Sequence, residues 1–242
     1  GDDMLIWTSA HITDVGTRRK INEDSVLDSP IQGIWAVADG MGGHAAGDYA
    51  SQLITARLRS LNVRQRQVSE VVDEIDQAID AVNHQLRLYA REKQMGTVGS
   101  TVVVMVLSSR IGVCLWAGDS RLYRVRDHQL ERISTDHSLI QRLIDQGTLA
   151  EEEAHLHPAR NVITRAVGAD EELALDCRLF EPLPGDIYIL CSDGLYNEVD
   201  ELDLCDLAAG LNPRDAADCM LTVALEGGAD DNISAIVVKI RD

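Results

Sequence analysis

The sequence predicts an α+β fold built on antiparallel sheet, and three observations carry that expectation. Strand-like runs between residues 101 and 132 are joined only by Ser108-Ser109-Arg110, Gly118-Asp119-Ser120 and Arg126-Asp127-His128. Joints this short suit hairpins, not βαβ crossovers. Two long stretches with helical spacing, residues 45–61 and 68–89, stand together ahead of that meander. Strand and helix patterns then recur near the C-terminus, so the two are segregated, as in α+β proteins and unlike a doubly wound parallel sheet.

In chain order, residues 5–13 are β-branched and partly alternating, which predicts a strand. Asp14-Val15-Gly16 turns the chain into the polar stretch 18–24. Residues 25–28 read as a short strand, and 34–38 as a buried one that stops at Asp39-Gly40. Ala46, Tyr49, Ala50, Leu53, Ile54, Leu58 and Leu61 keep helical spacing. Val71, Val72, Ile75, Ile79, Val82 and Leu86 do so more clearly still. After Gly96-Thr97-Val98-Gly99-Ser100, strands are expected at 101–107, 111–117, 121–125 and 129–132. Asp136 is expected to cap a helix holding Leu139, Ile140, Leu143 and Ile144. Thr148-Leu149-Ala150-Glu151 is a capping-box pattern for a further short helix. Residues 155–161 lack any period and read as a surface excursion. Strand pattern returns at 173–180 and 187–191. Helices follow at 200–209 and from the cap-then-proline start Asn212-Pro213 to Gly227-Gly228, and residues 233–240 form a last strand. No linker divides the chain, so residues 5–241 read as one domain, with Gly1-Asp2-Asp3 ahead of Met4 as a cloning remnant.

Composition narrows the function classes. The chain has 22 basic and 40 acidic residues, a net charge of −18, which disfavours nucleic acid or an anionic membrane as the main partner. Apolar residues make up 45% and aromatics only 4%, so the core must be aliphatic and alanine-rich. Cys114, Cys177, Cys191, Cys205 and Cys219 stand singly, without CxxC pairs, as reduced thiols do and a disulfide framework or zinc site does not. No apolar run reaches the ~18–20 residues of a membrane span, and no signal peptide is visible. The expectation is a soluble, cytoplasmic monomer.

Acids recur at strand mouths. Asp39 ends an apolar strand and precedes Gly40, Asp193 follows the strand at 187–191 and precedes Gly194, and Asp231 directly precedes the last strand. Asp119 sits between Gly118 and Ser120, and Glu23-Asp24 adds two carboxylates beside Asn22. Each alone is an ordinary turn former. Together, acids at strand ends can converge on one sheet edge, where they repel unless cations neutralise them. Gly40, lacking a Cβ, would let a carbonyl approach such a cation.

These residues fall into an ordered set of motifs: Gly16-x-x-Arg19-x-x-Asn22-Glu23-Asp24, then Ala38-Asp39-Gly40-Met41-Gly42-Gly43-His44, then Gly96-Thr97 with Gly99-Ser100-Thr101. Gly118-Asp119-Ser120-Arg121, Thr135-Asp136-His137-Ser138, and His157-Pro158 with Asn161-Val162-Ile163-Thr164-Arg165 follow. Ser192-Asp193-Gly194-Leu195 and Asp230-Asp231-Asn232-Ile233-Ser234 complete the series. From about Thr13 to Val238 the chain resembles bacterial members of the metal-dependent Ser/Thr protein phosphatases, the PPM or PP2C-like family. The resemblance implies a four-layer αββα sandwich, two central antiparallel sheets flanked by helix pairs, with a small flap subdomain at about 138–165.

It also implies a site. Asp39 would bridge two ions, the Gly40 carbonyl would bind one of them, and Asp193 and Asp231 would hold the second. Asp119 would serve a third, weaker ion shared with Asp193. All-oxygen ligands suit Mn²⁺ or Mg²⁺ and disfavour zinc. Glu23 and Asp24 would orient waters, and Arg19 would fork two phosphate oxygens. His44 is the candidate proton donor, by a looser match: the eukaryotic relatives place histidine directly after Asp-Gly, and here Met41-Gly42-Gly43 intervene. The implied reaction is in-line attack by a metal-bridging hydroxide on phosphoserine or phosphothreonine in proteins. A bacterial Ser/Thr kinase and its products are the implied partners.

Other phosphate chemistries lack their signatures. No cysteine is followed by five residues and an arginine, no P-loop lysine follows the glycines at 96 and 99, and the Asp-x-Asp-x-Thr nucleophile is missing. His155 and His157 have HxH spacing but no supporting ligands, and read as surface residues. The alternative is a catalytically inactive, phosphatase-like binding domain. Such a loss should show as a substituted metal acid, and none is substituted.

Overall fold

The computed structural model of the protein describes residues 4–44, 46–64 and 66–242. In chain order the strands β1 (Trp7–Asp14), β2 (Asp24–Ser29) and β3 (Ile34–Met41) precede the helices α1 (Ala46–Arg59) and α2 (Val68–Glu92). The meander β4 (Gly99–Ser100), β5 (Val102–Leu107), β6 (Gly112–Ala117), β7 (Arg121–Arg126) and β8 (Gln129–Arg132) follows, then α3 (Leu139–Asp145) and a 3₁₀ turn, Glu151–Leu156. Last come β9 (Asp176–Phe180), β10 (Ile187–Cys191), α4 (Asp193–Tyr196), α5 (Glu201–Gly210), α6 (Pro213–Glu226) and β11 (Ile233–Ile240).

Two antiparallel sheets result, one ordered β1-β11-β10-β7-β8 and the other β2-β3-β5-β6-β9 with β4 pairing β3. Period-two alternation decides which layer each side chain enters. On β3, Ala36 and Ala38 join the core under α1 and α2, whereas Trp35 and Val37 face the other sheet. On β11, Ile233, Ala235 and Val237 pack with α5 and α6, whereas Ile236 and Val238 meet the opposing strands. The strands are apolar on both sides because each sheet is covered on both faces. The layers run helix, sheet, sheet, helix, as the resemblance implies.

Local chemistry departs from expectation at three places. Ser138, not Asp136, caps α3 and accepts from the Gln141 amide at 3.1 Å. Asp136 is drawn away by Arg121, whose nearly buried guanidinium grips it at 2.7 Å. Thr148 caps nothing: its hydroxyl donates to the Leu143 carbonyl at 3.0 Å, and the 3₁₀ turn begins after Ala150 without a side-chain cap. Asp193 does not simply end a strand but opens α4, a single turn too short to leave a periodic signal.

The antiparallel register brings one end of every central strand to one edge. Asp24 and Asp39 are cross-strand partners, Val102 pairs with Ala117 just before Gly118-Asp119, and Cys191 pairs with Ala235 just before Asp193.

Candidate metal centre

Asp39, Asp193 and Asp231 meet at that edge. Each brings a carboxylate oxygen into a group whose members all lie within 4.8 Å of one another. Three separate elements deliver them: the end of β3, the first turn of α4 and the residue pair before β11. Asp24 joins from β2, buried, with one oxygen accepting from the Ser234 hydroxyl at 2.8 Å. Asp119 is buried in the β6–β7 joint, and Glu23 lies beside Gly40, whose amide donates to the Glu23 carbonyl at 2.9 Å.

Backbone crowding explains the glycines here. A Cβ on Gly40 would collide with the Gly47 carbonyl of α1, and one on Gly47 would collide with the Glu23 carboxylate. The pair lets helix and strand approach closely enough to aim Glu23 at the acids.

The electrostatics are those of anions held together with too little counter-charge, since Arg121 offsets Asp119 and Asp193 only in part. Burial lifts the Asp39 carboxyl well above the ordinary range, and the negative charges of Asp24 and Asp193 add to it. Burial pushes Asp24 up to about 6 against the lowering hydrogen bond from Ser234. Asp119 is raised well above its usual value by burial, then by the charges of Asp193 and Asp136. Asp193 is raised by burial, with Asp231 contributing. Burial also raises Glu23.

Three oxygens decide whether these residues fit a cation. Among the described residues, Glu23 Oε2, Asp24 Oδ1 and Asp193 Oδ1 are buried with no hydrogen-bond partner. A buried acceptor without a donor costs about 1–3 kcal/mol, more when charged, so such atoms call for a ligand. An all-oxygen carboxylate set with acceptors to spare fits hard divalent cations such as Mn²⁺ or Mg²⁺.

The other expected residues, Arg19 and His44, are exposed. Arg19 is largely exposed, its Nε 3.6 Å from an Asp231 carboxylate oxygen. The loop that carries it is pinned to the 229–231 turn, where the Thr17 amide donates to the Ala229 carbonyl at 2.9 Å. His44 lies exposed in the turn before α1 with a left-handed φ of 56°. Among the described residues its ring makes no hydrogen bond or ion pair.

Several supports escaped the sequence reading. Asn232 ties three segments: its Oδ1 accepts from the Glu23 amide at 2.9 Å, and its Nδ2 donates to the Val15 and Ile21 carbonyls at 2.9 and 3.0 Å. Thr101 Oγ1 accepts from the Asp39 amide at 3.1 Å and pairs with the Ser120 hydroxyl at 2.7 Å. Tyr196 donates to the Asp119 carbonyl at 2.8 Å, while its ring lies 3.5 Å below the Arg121 guanidinium. Asn232, Thr101 and Ser120 fall inside the quoted motifs, but nothing in their spacing says which amide or hydroxyl each one reaches.

Comparison with known proteins bears on this arrangement. The sequence pattern of the family described as protein phosphatase 2C matches residues 17–222. The serine/threonine protein phosphatase PstP of Mycobacterium tuberculosis is 35% identical over 241 residues, covering 98% of this chain and 46% of that protein. The chain therefore spans about half the length of that relative. A solved structure described as PppA, a key regulatory component of T6SS in Pseudomonas aeruginosa, superposes with a TM-score of 0.92 at 40% identity, covering 98% of this chain and 100% of the other. The catalytic domain of PstP solved in complex with two manganese ions gives a TM-score of 0.89 at 32% identity, covering 98% and 100%.

Proposed function

The chain belongs to the protein phosphatase 2C family, and from that premise we propose that it hydrolyses phosphoserine and phosphothreonine esters in proteins at the acid cluster. The observation that carries the proposal is the set of partnerless buried oxygens on Glu23, Asp24 and Asp193 around the Asp39–Asp193–Asp231 group.

Asp39, Asp193, Asp231 and the Gly40 carbonyl are the groups that would hold two divalent ions, with Asp119 serving a weaker third. When bound, such ions neutralise the cluster and lower the pKa of water towards about 7. The protein's own groups do the rest. Glu23 and Asp24 accept hydrogen bonds from, and so orient, water at the cluster. Arg19, exposed at the rim beside Asp231, forks two phosphate oxygens and meets the charge that grows on them. The departing serine or threonine oxygen takes its proton from His44, the exposed histidine five positions beyond Asp39. Net negative charge elsewhere keeps unrelated polyanions away.

The setting we propose is a cytoplasmic monomer acting on the products of a Ser/Thr kinase. Free cysteines at 114, 177, 191, 205 and 219 are in keeping with a reducing compartment. No described helix is long and apolar enough to cross a membrane.

Release of phosphate from a phosphothreonine peptide tests the reading, with Mn²⁺, with Mg²⁺ and after EDTA, for the wild type and for Asp231→Asn. Activity should require the ion and fall steeply in the variant. Activity that survives chelation, or a variant as active as the wild type, would sink it. Peptide retained without phosphate release would point to a binding domain instead.

A further inference from the structure

Beside the acid cluster lies a buried histidine with a defined hydrogen-bonding task. His137 is 9% exposed and makes two reciprocal bonds to Gly118. Its amide donates to the Gly118 carbonyl at 2.9 Å, and its ring Nδ1 receives the Gly118 amide at 3.0 Å. An amide can only donate, so Nδ1 must be unprotonated and the ring proton must sit on Nε2. That nitrogen points at Asp176 Oδ2, 2.7 Å away, which receives the proton and fixes the tautomer. Asp176 is itself gripped by Arg165 at 3.1 Å. The ring lies flat on Trp116, with centroids 6.0 Å apart and planes at 12°.

Gly118 is the residue before Asp119, and it needs holding. Its φ of +112° lies in the region that side chains avoid, and a Cβ there would press on Thr101 at 2.7 Å. The joint is tied on its far side by Tyr196 on the Asp119 carbonyl and by Thr101 on the Ser120 hydroxyl. His137 ties the near side. Its carbonyl also receives the Thr164 amide at 2.9 Å, so the same residue joins the 118–120 joint to the segment that returns from the excursion.

We propose that His137 is a positioning residue for Asp119. Through Nδ1 it holds the Gly118 amide, and Asp176 keeps that nitrogen an acceptor. This rests on the metal-site reading above and deepens it: the tie tunes the affinity of the weaker, Asp119-dependent ion and leaves the Asp39–Asp193–Asp231 group alone.

Isosteric substitution separates the two ring nitrogens. The Oδ1 of His137→Asn stands where Nδ1 stands, whereas His137→Gln places its amide where Nε2 stands. Calorimetric Mn²⁺ titration, with Asp119→Asn marking the weak step, should show His137→Asn within about twofold of the wild type. His137→Gln should weaken that step about tenfold or more, with the tight step unchanged in both. Asp176→Ala, which leaves the ring in place but frees its tautomer, should weaken the same step by a smaller factor. In the metal-free wild type, long-range ¹⁵N NMR should find Nδ1 unprotonated. A protonated Nδ1, or a His137→Gln that folds and binds like wild type, overturns the proposal. Should His137→Gln fail to fold, an Asp176→Ala weak step equal to wild type overturns it. Absence of any tight Mn²⁺ step in the wild type would instead overturn the metal-site reading, and the NMR result would still decide the tautomer.

Discussion

Strand β10 is flanked by two aspartates, one buried and one half-buried, and the two are treated in opposite ways. Asp186, just before the strand, is 1% exposed and fully partnered. Arg126 forks it at 2.8 and 2.7 Å, the Tyr188 hydroxyl donates at 2.9 Å, and the Leu183 amide donates at 2.9 Å. Burial alone would push its carboxyl up, but these donors overcome burial and hold it below the usual range. Asp193, just after the strand, has a buried oxygen with no donor, and burial with the Asp231 charge raises it. One end converts a buried charge into structure. The other leaves its charge short of compensation, as a site must if a cation is to supply the rest.

Substitutions at the two ends should part activity from stability. The largest effect is expected for Asp193→Asn, which should cut phosphatase activity about 10³-fold, the scale of several kcal/mol of lost cation-assisted stabilisation. The metal-free Tm should not fall, because a repelling charge has been removed. A melting curve beside the activity assay checks both, and a large loss of Tm with retained activity would reverse the assignment. Asp186→Asn should do the opposite, costing about 3 kcal/mol of stability, or about 6–12 °C in Tm. Its kcat should be unchanged where the protein is folded.

A smaller effect is expected from pH. The unfolded-state value of Asp24 is about 3.9, and its folded value is about 6. The folded state therefore binds more protons in that interval, and stability must fall as pH rises through it. From pH 4.5 to pH 7 the metal-free protein should lose about 2 kcal/mol from this group, or about 4–8 °C in Tm. Saturating Mn²⁺ should flatten the slope. Asp186 has the reverse sign: its contribution is present above the unfolded value and is lost as pH falls through its lowered one. Melting curves from pH 7 down past the unfolded carboxylate value of about 3.9, with Mn²⁺ and with EDTA, resolve the two ends. A metal-free Tm that rises from pH 4.5 to 7 would contradict the unpaired state of the acid cluster.

The sandwich was legible where local pattern carries it. The near-continuous apolar runs of β3, β5, β10 and β11 and the helical spacing of α2 come straight from the residues. The strand order was not, because β1 closing on β11 joins the two ends of the chain and leaves no local trace. Asp39, Asp193 and Asp231 could be picked out because each interrupts an apolar strand pattern with a charge. The supports could not. Asp136 had two eligible uses, as a cap and as an anion for Arg121. The guanidinium won, because a buried cation without a carboxylate costs more than a cap that Ser138 can provide. His137 and Tyr196 look like ordinary residues after a loop and in a helix turn, and only three-dimensional proximity gives them Gly118 and Asp119 as partners.

The central claim is that the edge formed by β3, α4 and β11 holds divalent ions, and anomalous diffraction from Mn²⁺-soaked crystals tests it most directly. The account predicts two strong peaks, one shared by Asp39 with the Gly40 carbonyl and one against Asp193 and Asp231, both lost in Asp39→Asn. Peaks only at other acids, or none at millimolar Mn²⁺, would contradict it.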